Sequence, residues 1–337
     1  MTRHSMVLRA WAGAVVIAGA IIMAAPTRAQ TIDLGTDSIG SVVNITGSTL
    51  AKVISQHSGL NVRARAFAGP EAWMPEMDAG RIALGAHFTA SFYTAYNQFE
   101  TKLHLTNLRV IRSSRGRSPL GFVVRANSDI KSIADLKGRR VTGIYSGQPV
   151  IRVLSSAAMR AYGLSYKDVT VVPTVNVVQG VAAVVDGRAE AAWASPSMPQ
   201  VRQAHAKVGV RFLSLQGISQ QQEDEIRKES FPSVYIDKFG GERTPWLPAG
   251  TPMLVQEMYL GASTHTPDDA VKKVLDALWG AEGELVKTHP VMSGFTNNSA
   301  VTLRPIVPYH PAAVAFYKAK GVWTEAAEKA SVALIKR

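Results

Sequence analysis

The chain has 337 residues, 46% hydrophobic and 18% charged, which fits a globular protein and excludes a disordered one. That length has room for two domains at roughly 100–200 residues each. The lack of cysteine excludes disulfides, thiolate chemistry and a lipid anchor on cysteine, and a formal charge of +12, spread along the chain, argues for a basic surface or an anionic small partner and against nucleic acid.

Residues 1–29 read as a secretory signal peptide. Arg3 and Arg9 precede an apolar run from Ala10 to Ala25, and Thr-Arg-Ala stands before Gln30. The run is short for a membrane span of about 20 residues, and Pro26 closes it. After it, Ile32–Leu34 predicts a short buried strand, Gly35–Gly40 a loop, and the spacing of Leu50, Val53 and Ile54 a helix from about Thr46 to His57–Gly59. Leu60–Phe67 alternates as a strand should. A helix follows with Pro70 in its first turn, then a short strand over Ile82–Gly85.

The same grammar repeats from about Gly116 to Leu215. After a strand at LRVIRSS, which precedes this unit, strands are predicted at LGFVVRANS, the end of SIADLKGRRVTGI, VTVVPT, AEAAWAS and VRFLSL. Helices are predicted in SGQPVIRVLSSAAMRAYGL, Val177–Asp186 and MPQVRQAHAK. GTPMLVQEMYLGAST reads as strands, and TPDDAVKKVLDALWGAEGELVK as a long helix with Thr266 as its cap and Pro267 at its first position. Two α/β units with a late return to the first predict two lobes and a ligand cleft between them. Lobe I is expected to span 30–115 plus 216–337, and lobe II 116–215.

Catalytic signatures are missing. GTDSIGS has P-loop glycine spacing without the lysine. Gly-x-Ser-x-Gly and His-Glu-x-x-His do not occur, and the eight histidines are scattered. The expectation is a receptor, not an enzyme, with no cofactor and no metal.

Four stretches carry a family resemblance: LGTDSIGSVVNITGSTLAKVIS, SIADLKGRRVTGIYSGQPVIRVLSSAAMRAYGLSYKDV, VVDGRAEAAWASPSMP and VPYHPAAVAFYKAKGVW. In this order they resemble the TAXI family, the solute-binding receptors of TRAP (tripartite ATP-independent periplasmic) transporters. The resemblance implies a two-lobe periplasmic-binding-protein fold, type II-like, with mixed, mostly parallel sheets. It also implies a periplasmic monomer that captures an anionic solute such as a dicarboxylate or amino acid and delivers it to TRAP membrane subunits. The alternative is a periplasmic receptor of another transport or sensory system. Departures from the family pattern fall at Val43, at Phe67–Pro70 with Trp73, and at Ser146-Gly147-Gln148. They point to a larger or less polar ligand than glutamate.

In such a fold ligands lie beyond the carboxyl ends of the strands, near helix N-termini. Lobe I then offers Thr36, Ser38, Asn44, Phe67, Trp73, His87 and Thr89. Lobe II offers Tyr145, Ser146, Gln148, Asn176, Trp193, Ser195 and Ser197. Trp73 and Trp193 are placed to sandwich an apolar or planar group as the lobes close. Arg112, Arg115 and Arg152 are candidate partners for a carboxylate. His310-Pro311 and the helix after it are read as closing lobe I.

Overall fold

A computed structural model describes residues 31–99, 101–231 and 233–335. The expected signal segment lies outside the described residues. In chain order, β1 (Thr31–Thr36), α1 (Val42–Ser58), β2 (Asn61–Ala66), α2 (Pro70–Asp78), β3 (Leu84–Phe88), α3 (Thr89–Asn97) and β4 (Leu108–Ser114) come first. A second series follows with β5 (Pro119–Arg125), β6 (Arg140–Tyr145), α4 (Val150–Arg160), β7 (Thr170–Thr174), α5 (Val177–Val185) and β8 (Ala191–Ala194). It continues through α6 (Pro199–Val208), β9 (Val210–Phe212), α7 (Gln220–Glu229), β10 (Val234–Phe239) and β11 (Thr251–Gln256). Then come β12 (Met258–Ser263), α8 (Asp268–Gly280), α9 (Glu282–Thr288), α10 (Pro311–Ala319) and α11 (Glu325–Ile335).

Two mixed sheets carry these strands. The first has the order β2-β1-β3-β12-β4 and the second β10-β11-β5-β8-β6-β7, with β9 paired to β5. β1 runs parallel to β2 and β3, and β6 parallel to β7 and β8. β12 is antiparallel to both of its neighbours. The α/β two-sheet architecture is the one the sequence predicts, but the sheets are mixed rather than mostly parallel, because β5 is also antiparallel to β8, β9 and β11, and β10 to β11.

Helix α1 shows why the elements form where they do. Ser41 caps it by accepting from the Asn44 amide at 3.1 Å, and Gly59 ends it in the left-handed region at φ 72°. Its buried face includes Leu50, Val53 and Ile54, each sealed from water, and each such side chain contributes about 1.5–3 kcal/mol. α1 begins at Val42, a turn before the predicted start, because the cap is Ser41 rather than a residue near Thr46.

Three further differences matter. The sequence reading returned to lobe I at residue 216, but β10 and β11 extend the second sheet, where Leu254 and Val255 pair with Leu120 and Pro119. The apolar run TPMLVQEMYLGAS is therefore two strands of different sheets, parted only by Glu257. The helix α3 was not anticipated. Thr266 does not cap α8: its hydroxyl donates to the Ala83 carbonyl at 2.9 Å, and Pro267 takes the cap position.

The terminal Pro-Tyr-His-Pro turn belongs to the first sheet's layer. Tyr309 bridges to Val110, and His310 caps α10 by accepting from the Ala312 amide at 3.2 Å. Among the described residues no helix is long and apolar enough to cross a membrane.

Candidate functional site

The carboxyl ends of β1 and β3 in one sheet meet those of β6 and β7 in the other. At their junction lies a cavity of about 30 Å³, lined by Asp37, His87, Gln148, Ser195 and apolar residues such as Val43, Leu120, Ile151 and Met198. That holds no more than a few waters, and side chains of the two units bond to each other beside it.

Asp37 is the centre of the arrangement, and the sequence reading missed it. It sits in the loop after β1, fully buried. One carboxylate oxygen accepts from Trp73 Nε1 at 3.2 Å. The other lies 3.0 Å from His87 Nε2 and accepts from Gln148 Nε2 of the second unit. An ionised carboxylate in apolar surroundings is tolerated only when its lone pairs are met by donors. Three candidates, Trp73, His87 and Gln148, are thus brought together by a residue not among them. The available signal was that Asp37 is the sole charged residue in GTDSIGS.

Trp73 is placed by glycines. Its indole lies against the backbone of β1 and β3, where a Cβ on Gly35 would stand 2.7 Å, and one on Gly85 2.1 Å, from the ring. Only glycine leaves room for the ring there. His87 is 3% exposed and its Nδ1 has no hydrogen-bond partner.

A second junction lies at the rim. Ser38 donates to the Phe67 carbonyl at 3.2 Å and accepts from Asn176 Nδ2 at 3.0 Å. Asn176 also caps α5, accepting from the Gln179 amide at 3.0 Å. The Gln148 carbonyl oxygen accepts from the Val177 amide at 2.9 Å, which holds the side chain on course toward Asp37. Alongside, the backbones approach closely: a Cβ on Gly69 would fall 1.9 Å from the Gly147 carbonyl oxygen.

The remaining candidates are engaged elsewhere. Thr36 accepts from Asn44 Nδ2 and donates to the Arg65 carbonyl, each at 3.0 Å, which braces the β1 loop from below. Phe67 is half-buried under the Arg65 guanidinium at 5.2 Å. Thr89 pairs with Ser233 at 2.8 Å. The Tyr145 hydroxyl is shared between Thr142 at 2.5 Å and the Trp193 amide at 3.2 Å, and burial pushes its pKa well above the usual range, so it stays neutral. Ser146 is exposed at the rim. Ser195 meets Ser118 at 2.9 Å and accepts from the Ser197 amide at 3.3 Å.

The two tryptophans do not face one another. Trp73 tilts against His87, with ring centroids 6.2 Å apart, while Trp193 packs edge-on to Phe122 at 4.9 Å inside the second unit. Each fills its own unit's interior, so the expected sandwich is not formed. None of the candidate arginines lines the cavity. Arg112 is buried and donates to the Phe295 carbonyl at 2.9 Å and to Asn297 at 3.0 Å, with burial lowering its pKa. Arg115 is exposed, and Arg152 lies over Tyr166 at 4.7 Å. Among the described residues no cluster of three or more His, Asp or Glu side chains is arranged to hold a metal.

Two α/β sheets meeting at their strand carboxyl ends are the architecture of periplasmic binding proteins. A solved structure described as a periplasmic transporter shares this fold at a TM-score of 0.54, with 15% identity over 92% of this chain and 98% of its own. Weaker likenesses include a protein from Prochlorococcus marinus solved with methylphosphonate, 14% identical over 74% of this chain and 84% of its own, TM-score 0.47. A sulfonate-binding protein of an ABC transporter from Methylobacillus flagellatus is 13% identical over 87% and 88%, TM-score 0.43. The model of the NMT1-like family matches residues 34–321, and the chain belongs to that family.

Proposed function

We propose that the protein is a periplasmic solute-binding receptor, not an enzyme, that captures a small molecule between its two units and presents the closed form to a membrane transporter. The observation that carries this reading is the bonded junction between the sheets. Gln148 on Asp37 and Asn176 on Ser38 link units that are built on separate sheets. Such contacts can be made and broken in a hinge motion without disturbing the strand pairing of either sheet. We take lobe I as residues 31–115 and 257–335 and lobe II as residues 116–256, a division that the strand pairing supports.

The order of the family motifs supports a TRAP-type transporter as the partner. The altered turns at Phe67–Pro70 and Ser146–Gln148 favour the second reading, a receptor of another periplasmic transport system. The class of membrane subunit that co-purifies with the receptor separates the two. The receptor reading itself is tested by thermal unfolding of protein stripped of solute by unfolding and refolding, against a panel of small acids, amines and amides. A ligand at a hundred times its dissociation constant stabilises by about 2.7 kcal/mol, a shift of roughly 5 °C or more in a protein near this size. Turnover of a bound compound would overturn the reading.

A further inference from the structure

The acceptors gathered at the junction say what kind of solute fits, given the receptor reading. We propose that Asp37 is the recognition carboxylate for a solute bearing a protonated amine on an apolar body, and that the Gln148 amide donates to the oxygen this amine would take.

Asp37 is fully buried, and its partners are divided between the units. Trp73 and His87 belong to the first unit and stay with the carboxylate whatever the second unit does. Gln148 belongs to the second and departs when the cleft opens. An ionised carboxylate accepts about four hydrogen bonds and donates none. Opening therefore leaves Asp37 with acceptor positions turned toward the cleft, and only a donor can fill them.

His87 points the same way. Its Nε2 lies 3.0 Å from the Asp37 carboxylate, and with the ring proton on that nitrogen Nδ1 is left as an acceptor. That Nδ1 is buried without a partner, and the ring lines the cavity. Carboxylate and imidazole together present acceptors, which an ammonium with its several N–H donors satisfies.

The rest of the cavity excludes the opposite charge. Among its lining residues His87 is the sole basic side chain, and the three candidate arginines all lie elsewhere. A carboxylate ligand seated here would adjoin Asp37 with no guanidinium or ammonium to offset it, and like charges at close range repel most where water is excluded. Val43, Leu120, Ile151 and Met198 supply apolar walls, so the part of the solute beyond the amine is hydrocarbon rather than polar.

The test is isothermal titration of the full chain with charge-matched probes: pentylammonium and benzylammonium against hexanoate and phenylacetate, at millimolar concentration. The expected result is heat and a raised melting temperature with the ammonium compounds alone. Asp37→Asn is expected to weaken ammonium binding at least tenfold. The comparison of the two probe charges on the unaltered protein decides by itself, whether or not Asp37→Asn folds. Binding of the carboxylates with the ammonium compounds ignored overturns the proposal and keeps the receptor reading. So does undiminished ammonium binding by a folded Asp37→Asn protein. No response from either charge class overturns the proposal and leaves the receptor reading to its own solute panel.

Discussion

The loop after β1 and the loop after β6 occupy matching places at the carboxyl ends of parallel strands, yet they carry different chemistry. The first holds a charge, Asp37, fixed by Trp73 and His87 from its own unit. The second holds none. It contributes a neutral amide, Gln148, and bare backbone at Gly147. The division separates two tasks. In the proposed receptor a charged socket would discriminate among solutes, while neutral donors on the other unit would close over it without a large desolvation cost.

The largest expected effect breaks the charged side. Asp37→Ala leaves the donors of Trp73, His87 and Gln148 buried without an acceptor, and urea unfolding should show a loss of about 3–5 kcal/mol. Gln148→Ala should cost only about 1–2 kcal/mol, since it orphans the Val177 amide and one lone pair of Asp37. Equal losses would deny the asymmetry between the loops.

The tryptophans sharpen the same contrast. Both are fully buried, so Trp73→Ala and Trp193→Ala should each cost about 3–5 kcal/mol. Only the Trp73 change should also weaken solute binding, because it alone donates to Asp37. A binding defect of equal size in a Trp193 variant would move the site toward the second unit.

A smaller effect is expected where the backbones meet. A methyl group at Gly69 would stand 1.9 Å from the Gly147 carbonyl oxygen, whereas one at Gly147 would stand 3.2 Å from the Ala68 carbonyl oxygen. Gly69→Ala should therefore hold the units apart, at a cost of about 1–3 kcal/mol, with a radius of gyration by X-ray scattering above that of the unaltered protein. Gly147→Ala should change that radius less.

The smallest effect concerns pH. Burial raises the pKa of Glu257 at the crossing between the sheets, with Thr302 and Ser113 opposing weakly. A carboxyl whose folded pKa is raised stabilises the fold most when protonated. That contribution is complete below the ordinary glutamate range near about 4.3 and is lost as pH climbs through the raised value. Melting temperatures from pH 4 upward should fall less steeply in Glu257→Gln than in the unaltered protein.

Much of the fold was legible because its elements keep clean periods and caps, as α5 does between Asn176 and Asp186. What escaped had physical reasons. The segment TASFYTAYN has two Ala among Thr, Ser, Phe, Tyr and Asn, all modest helix formers, so its pattern gave little warning of α3. β11 joins the second sheet by pairing to Pro119 and Leu120 and carries β10 on its other side, a long-range choice that no local pattern records. At the site, the polar residues at strand ends were visible one by one. Their organiser was not, because an aspartate in a glycine-rich turn looks like any turn-former. The arginines drew notice as anion partners, but burial against Phe295 and Asn297 places Arg112 out of reach.

The two crossings between the sheets lie side by side. Ser114 pairs with Met258, and a Cβ on Gly116 would meet the Gln256 carbonyl oxygen at 2.6 Å. Residues 116–256 thus leave and rejoin the first unit at nearly one point, as an inserted cassette does. Such a segment can be exchanged whole: a second unit grafted from a relative at these two seams would bring a different lid to the same Asp37 socket, and the socket's preference should travel with the host rather than with the graft.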